Sequence, residues 1–169
     1  MSDETLANII KREHKNLDFP DLFVKYMENV HGALTIGDKL DRELLTILSE
    51  NGYDVNMKTY KGDNLLSYWR ITYDDFIYLL ENYELIINDG IVELLVGTYD
   101  KKIDQWLKDN IGNRKISVKM GIAEKRIMRI TRDEEWSVRS ELKHEVREMT
   151  LLEVSKGWDN DHLSTLLNL

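Results

Sequence analysis

The chain has no cysteine and a single proline, Pro20. The first absence excludes disulfides, thiolate zinc sites and a cysteine nucleophile, and it fits a reducing compartment. The second favours helices joined by short connections, because proline breaks helices and gathers in loops. No apolar run approaches the roughly 18 residues needed to cross a bilayer. The start, MSDETLANIIKREHK, is acidic and lacks the long apolar stretch of a secretory signal. The expected setting is therefore soluble and cytoplasmic, with no membrane partner. Recognised catalytic and nucleotide signatures are also missing: there is no Walker A loop, no Gly-x-Ser-x-Gly and no His-Glu-x-x-His.

What the chain does have is length enough for a core. At 169 residues it can bury roughly 70% of its unfolded surface without staples. Leu, Glu and Lys are abundant and favour helix. Charge is uneven. Residues 1–100 hold 9 Lys/Arg and 19 Asp/Glu, a net of −10, whereas residues 101–169 hold 14 and 12, a net of +2. The first part repels nucleic acid and the second tolerates it. The change suggests a boundary near Tyr99-Asp100-Lys101-Lys102.

Apolar spacing predicts helices over 5–15 and 21–30, around Asp18-Phe19-Pro20-Asp21, with Leu22, Phe23, Tyr26, Met27 and Val30 on one face. Pro20 suits a helix start. Another helix is predicted from Asp41 to Glu50, ended by Asn51-Gly52. A polar, extended stretch from Asp54 to Lys61 follows. Asp63 or Asn64 then caps a predicted helix Leu65–Arg70, and Asp74 or Asp75 caps one over Phe76–Asn82.

These features recur. Leu48-Ser49-Glu50-Asn51-Gly52 and Leu79-Leu80-Glu81-Asn82-Tyr83 lie 31 residues apart, and Gly62 and Gly90 lie 28 apart, each opening an apolar stretch. A helix pair and turn repeated at about 30 residues is a solenoid signature. Leu48-Ser49-Glu50-Asn51-Gly52-Tyr53-Asp54-Val55-Asn56 resembles the ankyrin-repeat ending Leu-Leu-x-x-Gly-Ala-Asp-Val-Asn. Gly62-Asp63-Asn64-Leu65-Leu66-Ser67 resembles the ankyrin start Gly-x-Thr-Pro-Leu-His, with Leu65 replacing proline and Ser67 replacing histidine. The family's small pair is replaced by Trp69-Arg70, which would crowd a regular helix stack. The resemblance is good over 41–66, fair to about 82 and weak to about 110. Beyond it, Asp133-Glu134-Glu135-Trp136-Ser137-Val138-Arg139 looks like the Asp-x-x-Trp-x-Val-Arg core of leucine-rich-variant or HEAT-like repeats. Lys115-Ile116-Ser117-Val118-Lys119 echoes it 20 residues earlier.

The expected fold is therefore an all-α helical-repeat solenoid. It comprises an N-terminal helical cap over residues 1–40, ankyrin-like helix pairs over 41–110, and short helical repeats over 111–169 packed on the same body. The resemblance implies protein binding through a concave face and projecting turns, with no cofactor and no catalysis. Lys58, Tyr60, Lys61 and Asp63 on the projecting turn, with Tyr68 and Arg70 on the adjoining helix face, are the expected partner-binding residues. Tyr and Arg are common interface anchors, although a merely polar loop would explain the turn equally well. The acidic balance suits a basic protein partner. An adaptor and a small inhibitor, of the toxin-immunity or phage counter-defence kind, both fit.

Three further readings stay open. Residues 113–132 look like a helix-turn-helix, with Ser117 in place of the usual alanine, Gly121 at the turn, and Lys125, Arg126 and Arg129 offered to DNA. The acidic chain makes nucleic acid the weaker partner. His162 follows Asp159-x-Asp161, which could hold a weak cation, though a capped helix start explains those aspartates more simply. No two of His14, His31, His144 and His162 have metal-ligand spacing. The tryptophans Trp69, Trp106, Trp136 and Trp158 are expected in the core, and Trp69 is the exception worth watching.

Overall fold

The computed structural model describes residues 5–36, 39–129 and 136–169. It is mostly helical. The elements run α1 (Leu6–Glu13), α2 (Phe19–Ala33), the short strands β1 (Thr35–Ile36) and β2 (Lys39–Leu40), and α3 (Arg42–Glu50). After a long loop come a 3-10 turn (Leu65–Ser67), α4 (Tyr73–Tyr83), α5 (Asp89–Val96) and α6 (Lys101–Asn110). Two long strands, β3 (Lys115–Arg129) and β4 (Trp136–Thr150), precede α7 (Leu151–Gly157) and α8 (Asp161–Leu167). Among the described residues no helix is long and apolar enough to cross a membrane.

Local chemistry sets the helix starts. Thr5, Asp18, Asp41, Thr72, Asn88, Asp100, Thr150 and Asn160 each accept a backbone N–H in the first turn of the helix that follows. Each such cap contributes about 1 kcal/mol. Pro20 lies in the first turn of α2, as its spacing predicts. Gly52 takes φ +99° just after α3, a conformation that suits glycine.

α1 packs on α2 and α3; α5 packs on the 3-10 turn, α6 and α7; and α8 closes against both α6 and α7. Leu44, Leu45, Leu48, Phe76, Leu79, Val92, Leu95, Ile103, Leu107 and Leu163 are fully buried along this line. Asp75 is not the cap of α4; Thr72 is. Asp75 is instead buried, accepting from the Leu40 amide at 3.0 Å and the Arg42 guanidinium at 3.2 Å, so it clamps β2 to α4.

The expected helical repeats over 111–150 are corrected. β3 and β4 form a two-stranded antiparallel ribbon, with Lys115 opposite Thr150 and Arg129 opposite Trp136. The helix-turn-helix is corrected with them, since Lys125, Arg126 and Arg129 lie on strand β3. The reason is the period of the pattern. Ile116 and Val118 are buried while Lys115 and Ser117 are exposed, an alternation of two that belongs to a strand. The base of the ribbon packs on α5 and α7. Asp133, Glu134 and Glu135 of the expected repeat core lie outside the described residues. The region after the ribbon, residues 151–169, is helical as expected.

Candidate functional site

The loop between α3 and the 3-10 turn is held from inside by a buried histidine. His31 on α2 is fully buried. Its Nε2 lies 3.1 Å from the Met57 carbonyl and its Nδ1 2.8 Å from the Tyr53 hydroxyl. A carbonyl can only accept, so Nε2–H donates to Met57 and Nδ1 accepts from Tyr53. This is the neutral ring. Burial pushes its pKa down to about 4, and burial pushes the Tyr53 phenol upward.

From Met57 the chain runs into a compact turn. The Thr59 amide donates to the Asp63 carbonyl (2.8 Å), the Gly62 amide to the Thr59 carbonyl (2.9 Å), and the Asp63 amide to the Thr59 hydroxyl (3.2 Å). Thr59 is buried while Lys58, Tyr60 and Lys61 are exposed. Tyr60 is 88% exposed, and the Lys61 ammonium lies 5.6 Å from its ring. Asp63 is half-buried. Four of the six expected contact residues, Lys58, Tyr60, Lys61 and Asp63, therefore lie on one hydrogen-bonded turn.

Side chains tie this turn to the next. The Asn56 carboxamide donates to the Glu84 carbonyl (3.2 Å) and accepts from the Ile86 amide (2.8 Å), 28 and 30 residues along the chain. The Asp89 carboxylate then accepts from the Ser117 amide (2.8 Å), again 28 residues on, at the base of the ribbon. The turn at 57–63, the turn at 84–88 and the ribbon base thus form one edge. Ile86 is 60% exposed on it. Glu84 sits at φ +52°, the left-handed region that residues other than glycine seldom adopt.

Tyr68 stays beside the turn, within electrostatic reach of Lys61 and Asp63. The predicted helix Leu65–Arg70 stops at Ser67. Tyr68 is half-buried, with its ring 5.7 Å from that of His31. Arg70 is exposed, its guanidinium 5.7 Å from the Tyr99 ring. Together with Leu66, Trp69, Leu94, Thr98 and Trp158, they line a hollow of about 290 Å³. Trp158 is 42% exposed and forms one wall, so it is not a core residue as expected from sequence. Trp69, half-buried, lines the hollow where a regular stack would have small residues. The Tyr99 hydroxyl donates to the Trp158 carbonyl at 2.5 Å. Tyr99 and Asp159, both at positive φ, flank this corner, so backbone strain gathers around it. Glu93 on α5, close to the Trp158 indole, has its pKa raised by burial.

The aspartates near His162 play a structural part. Asp104 on α6 is fully buried and accepts from the Asn160 carboxamide (2.9 Å) and lies 2.9 Å from His162 Nδ1. Asn160 also donates to the Val96 carbonyl and caps α8. Asp104 and Asn160 thus join α5, α6 and α8. Sequence spacing could not show this, because the three residues come together only through packing of α8 on α6. Among the described residues no group of three His, Asp or Glu is arranged to hold a metal ion.

Chemically, the molecule offers two surfaces: an edge of braced turns with an exposed tyrosine and isoleucine, and an apolar hollow with aromatic walls and a cationic lip. No known protein family, curated protein or solved structure matches the chain.

Proposed function

We propose that this protein is a protein-binding module, built as a short solenoid of degenerate ankyrin-like helix pairs in which the ribbon takes the place of one projecting turn. The observation that carries the reading is the edge on which Asn56 and Asp89 each tie one turn to the next at a 28-residue spacing. Regular spacing of such ties suits stacked repeats. Turns held by their own hydrogen bonds and by their neighbours lose little freedom on docking, so Tyr60 and Ile86 are preorganised contacts. The hollow beside Trp158 accepts an apolar side chain of the partner, with Arg70 at its lip. The reading involves no catalytic step and no cofactor.

The partner is a basic protein. Residues 1–114 and 151–169 carry 14 Lys/Arg and 24 Asp/Glu, a net of −10, which speeds encounter with a cationic surface. An adaptor and an inhibitor that masks a basic surface use the same contacts, in a reducing cytoplasm.

The test is quantitative capture from nuclease-treated lysate of the native host by the immobilised chain. Wild type should retain one protein at stoichiometric level. Tyr60→Ala combined with Ile86→Ser should lose it while the far-ultraviolet spectrum stays unchanged. Equal retention by both would overturn the edge as the contact surface.

A further inference from the structure

The protein-binding reading leaves the ribbon's outer part without a role. Each strand is 15 residues long, so the ribbon spans about 50 Å at roughly 3.3 Å per residue. β3 and β4 form a sheet of two strands. A hairpin with so little support is marginal in water. Its charge also differs in sign from the rest of the chain. β3 and β4 hold eight Lys/Arg and four Glu, a net of +4, against the −10 of residues 1–114 and 151–169.

Register sharpens this. Residues alternate between the two faces of a ribbon. In β3, positions 119, 121, 123, 125, 127 and 129 share one face, opposite positions 146, 144, 142, 140, 138 and 136 of β4. These positions hold Lys119, Lys125 and Arg129 and no Asp or Glu. Of the four glutamates, Glu124, Glu141 and Glu145 lie on the other face, and Glu148, opposite Ser117, lies on this face but at the base, inward of Lys119. Between the cations are the apolar positions Ala123, Ile127 and Val138, with Trp136 opposite Arg129.

We propose that this face of the ribbon docks in the major groove of duplex DNA. The groove, about 12 Å wide, admits a two-stranded β-ribbon. Cations spaced along the ribbon match phosphates, and the small apolar positions between them match base edges and thymine methyl groups. The acidic remainder does not prevent this. Screening falls off over about 8 Å at physiological salt, whereas the ribbon extends several times that distance. The acidic helices instead orient the complex, since phosphates are repelled from them and drawn to the ribbon. Two of these cations, Lys125 and Arg129, are shared with the discarded helix-turn-helix, on a different scaffold; Arg126 falls on the other face.

The experiment uses the full chain and a fluorescent 20-base-pair DNA duplex of mixed sequence, read by anisotropy. Binding is expected at 50 mM salt. With three phosphates neutralised, raising salt to 200 mM should weaken it about 40-fold, a log–log slope near −2.7. Lys125→Glu with Arg129→Glu should weaken binding at least tenfold at 50 mM salt. Lys125→Arg with Arg129→Lys should retain it, which separates charge from folding. Lys101→Glu with Lys102→Glu, on α6, should leave it unchanged. Absence of wild-type binding at 50 mM salt would overturn the proposal. So would binding that the ribbon variants leave intact, or association of the ribbon with anionic vesicles but not with the duplex.

Discussion

Two stretches of this chain begin alike and end differently. Asn64 caps the 3-10 turn Leu65–Ser67, and Asn88 caps α5. Each leads to a second helix capped in turn, α4 by Thr72 and α6 by Asp100. From cap to cap the first stretch spans eight residues and the second twelve. The difference of four is about one helical turn. The later caps, Thr72 and Asp100, are 28 residues apart, the same spacing as the side-chain ties of Asn56 and Asp89. The first stretch is thus shorter than the second by about one turn of its first helix. The hollow beside Trp69 and Trp158 lies at the end of that shortened element. A concave site can therefore arise by subtraction, with no inserted loop.

The comparison can be broken most severely at α5. Ile91→Ala, at a position 3% exposed, should lower unfolding free energy by about 3 kcal/mol. Leu66→Ala should lower it by about 1 kcal/mol less, because Leu66 borders space that water already enters. Urea titration of both variants checks the difference. Next is the clamp that only the first unit has. His31 has a folded pKa of about 4, below its unfolded value near 6.5. The stability tied to its neutral form is present above pH 6.5 and is lost as pH falls toward 4, by up to roughly 3 kcal/mol. His31→Gln should be less stable at pH 7 and should show a flatter stability profile between pH 6.5 and 4. An unchanged profile would remove His31 as the cause.

Smaller effects sharpen the comparison. Asn56→Ala removes two hydrogen bonds between turns and should lower stability by about 1–2 kcal/mol, with no change in denaturant m-value. Asn88→Ala should cost about 1 kcal/mol, and Asn64→Ala about half that, because it supports a single turn. Gly97→Ala should stabilise by about 0.5 kcal/mol. Gly97 ends α5 at φ −74°, and a Cβ there would meet the Leu94 carbonyl at 3.5 Å and the Trp158 ring at 3.6 Å, both ordinary contacts. Thermal unfolding resolves that last shift.

Much of the helical part was legible in the sequence because its signals are local. Asp41 before an apolar face and Asn51-Gly52 after it mark the limits of α3 closely. Trp69, where an ankyrin repeat has a small residue, lines the hollow. The length of the first helix was not legible, since an asparagine cap marks a start but not how many turns follow. Thr72 was passed over as a cap for Asp74 and Asp75, because only tertiary contact sends Asp75 toward Leu40 and Arg42. The ribbon was misread for a different reason. Lys115-Ile116-Ser117-Val118-Lys119-Met120 alternates polar and apolar with a period of two, which signals a strand. The Ser-Val-Lys and Ser-Val-Arg segments also resemble helical repeat cores, so a short match to a helical motif competes with that period. Of the site, the turn carrying Tyr60 was legible from its polar composition. Trp158's place in the hollow was not, since it depends on α7 and α8 packing back against α5 and α6.

The ties made by Asn56 and Asp89 have a consequence for the timing of local opening. The amides of Ile86 and Ser117 belong to exposed residues, so on exposure alone they would trade hydrogen for deuterium within seconds. Each is instead donated to a side chain about 30 residues away. They can exchange only when neighbouring turns part company. Slow exchange at those two surface amides would therefore be a clock for the parting of neighbouring turns, read out at exposed residues.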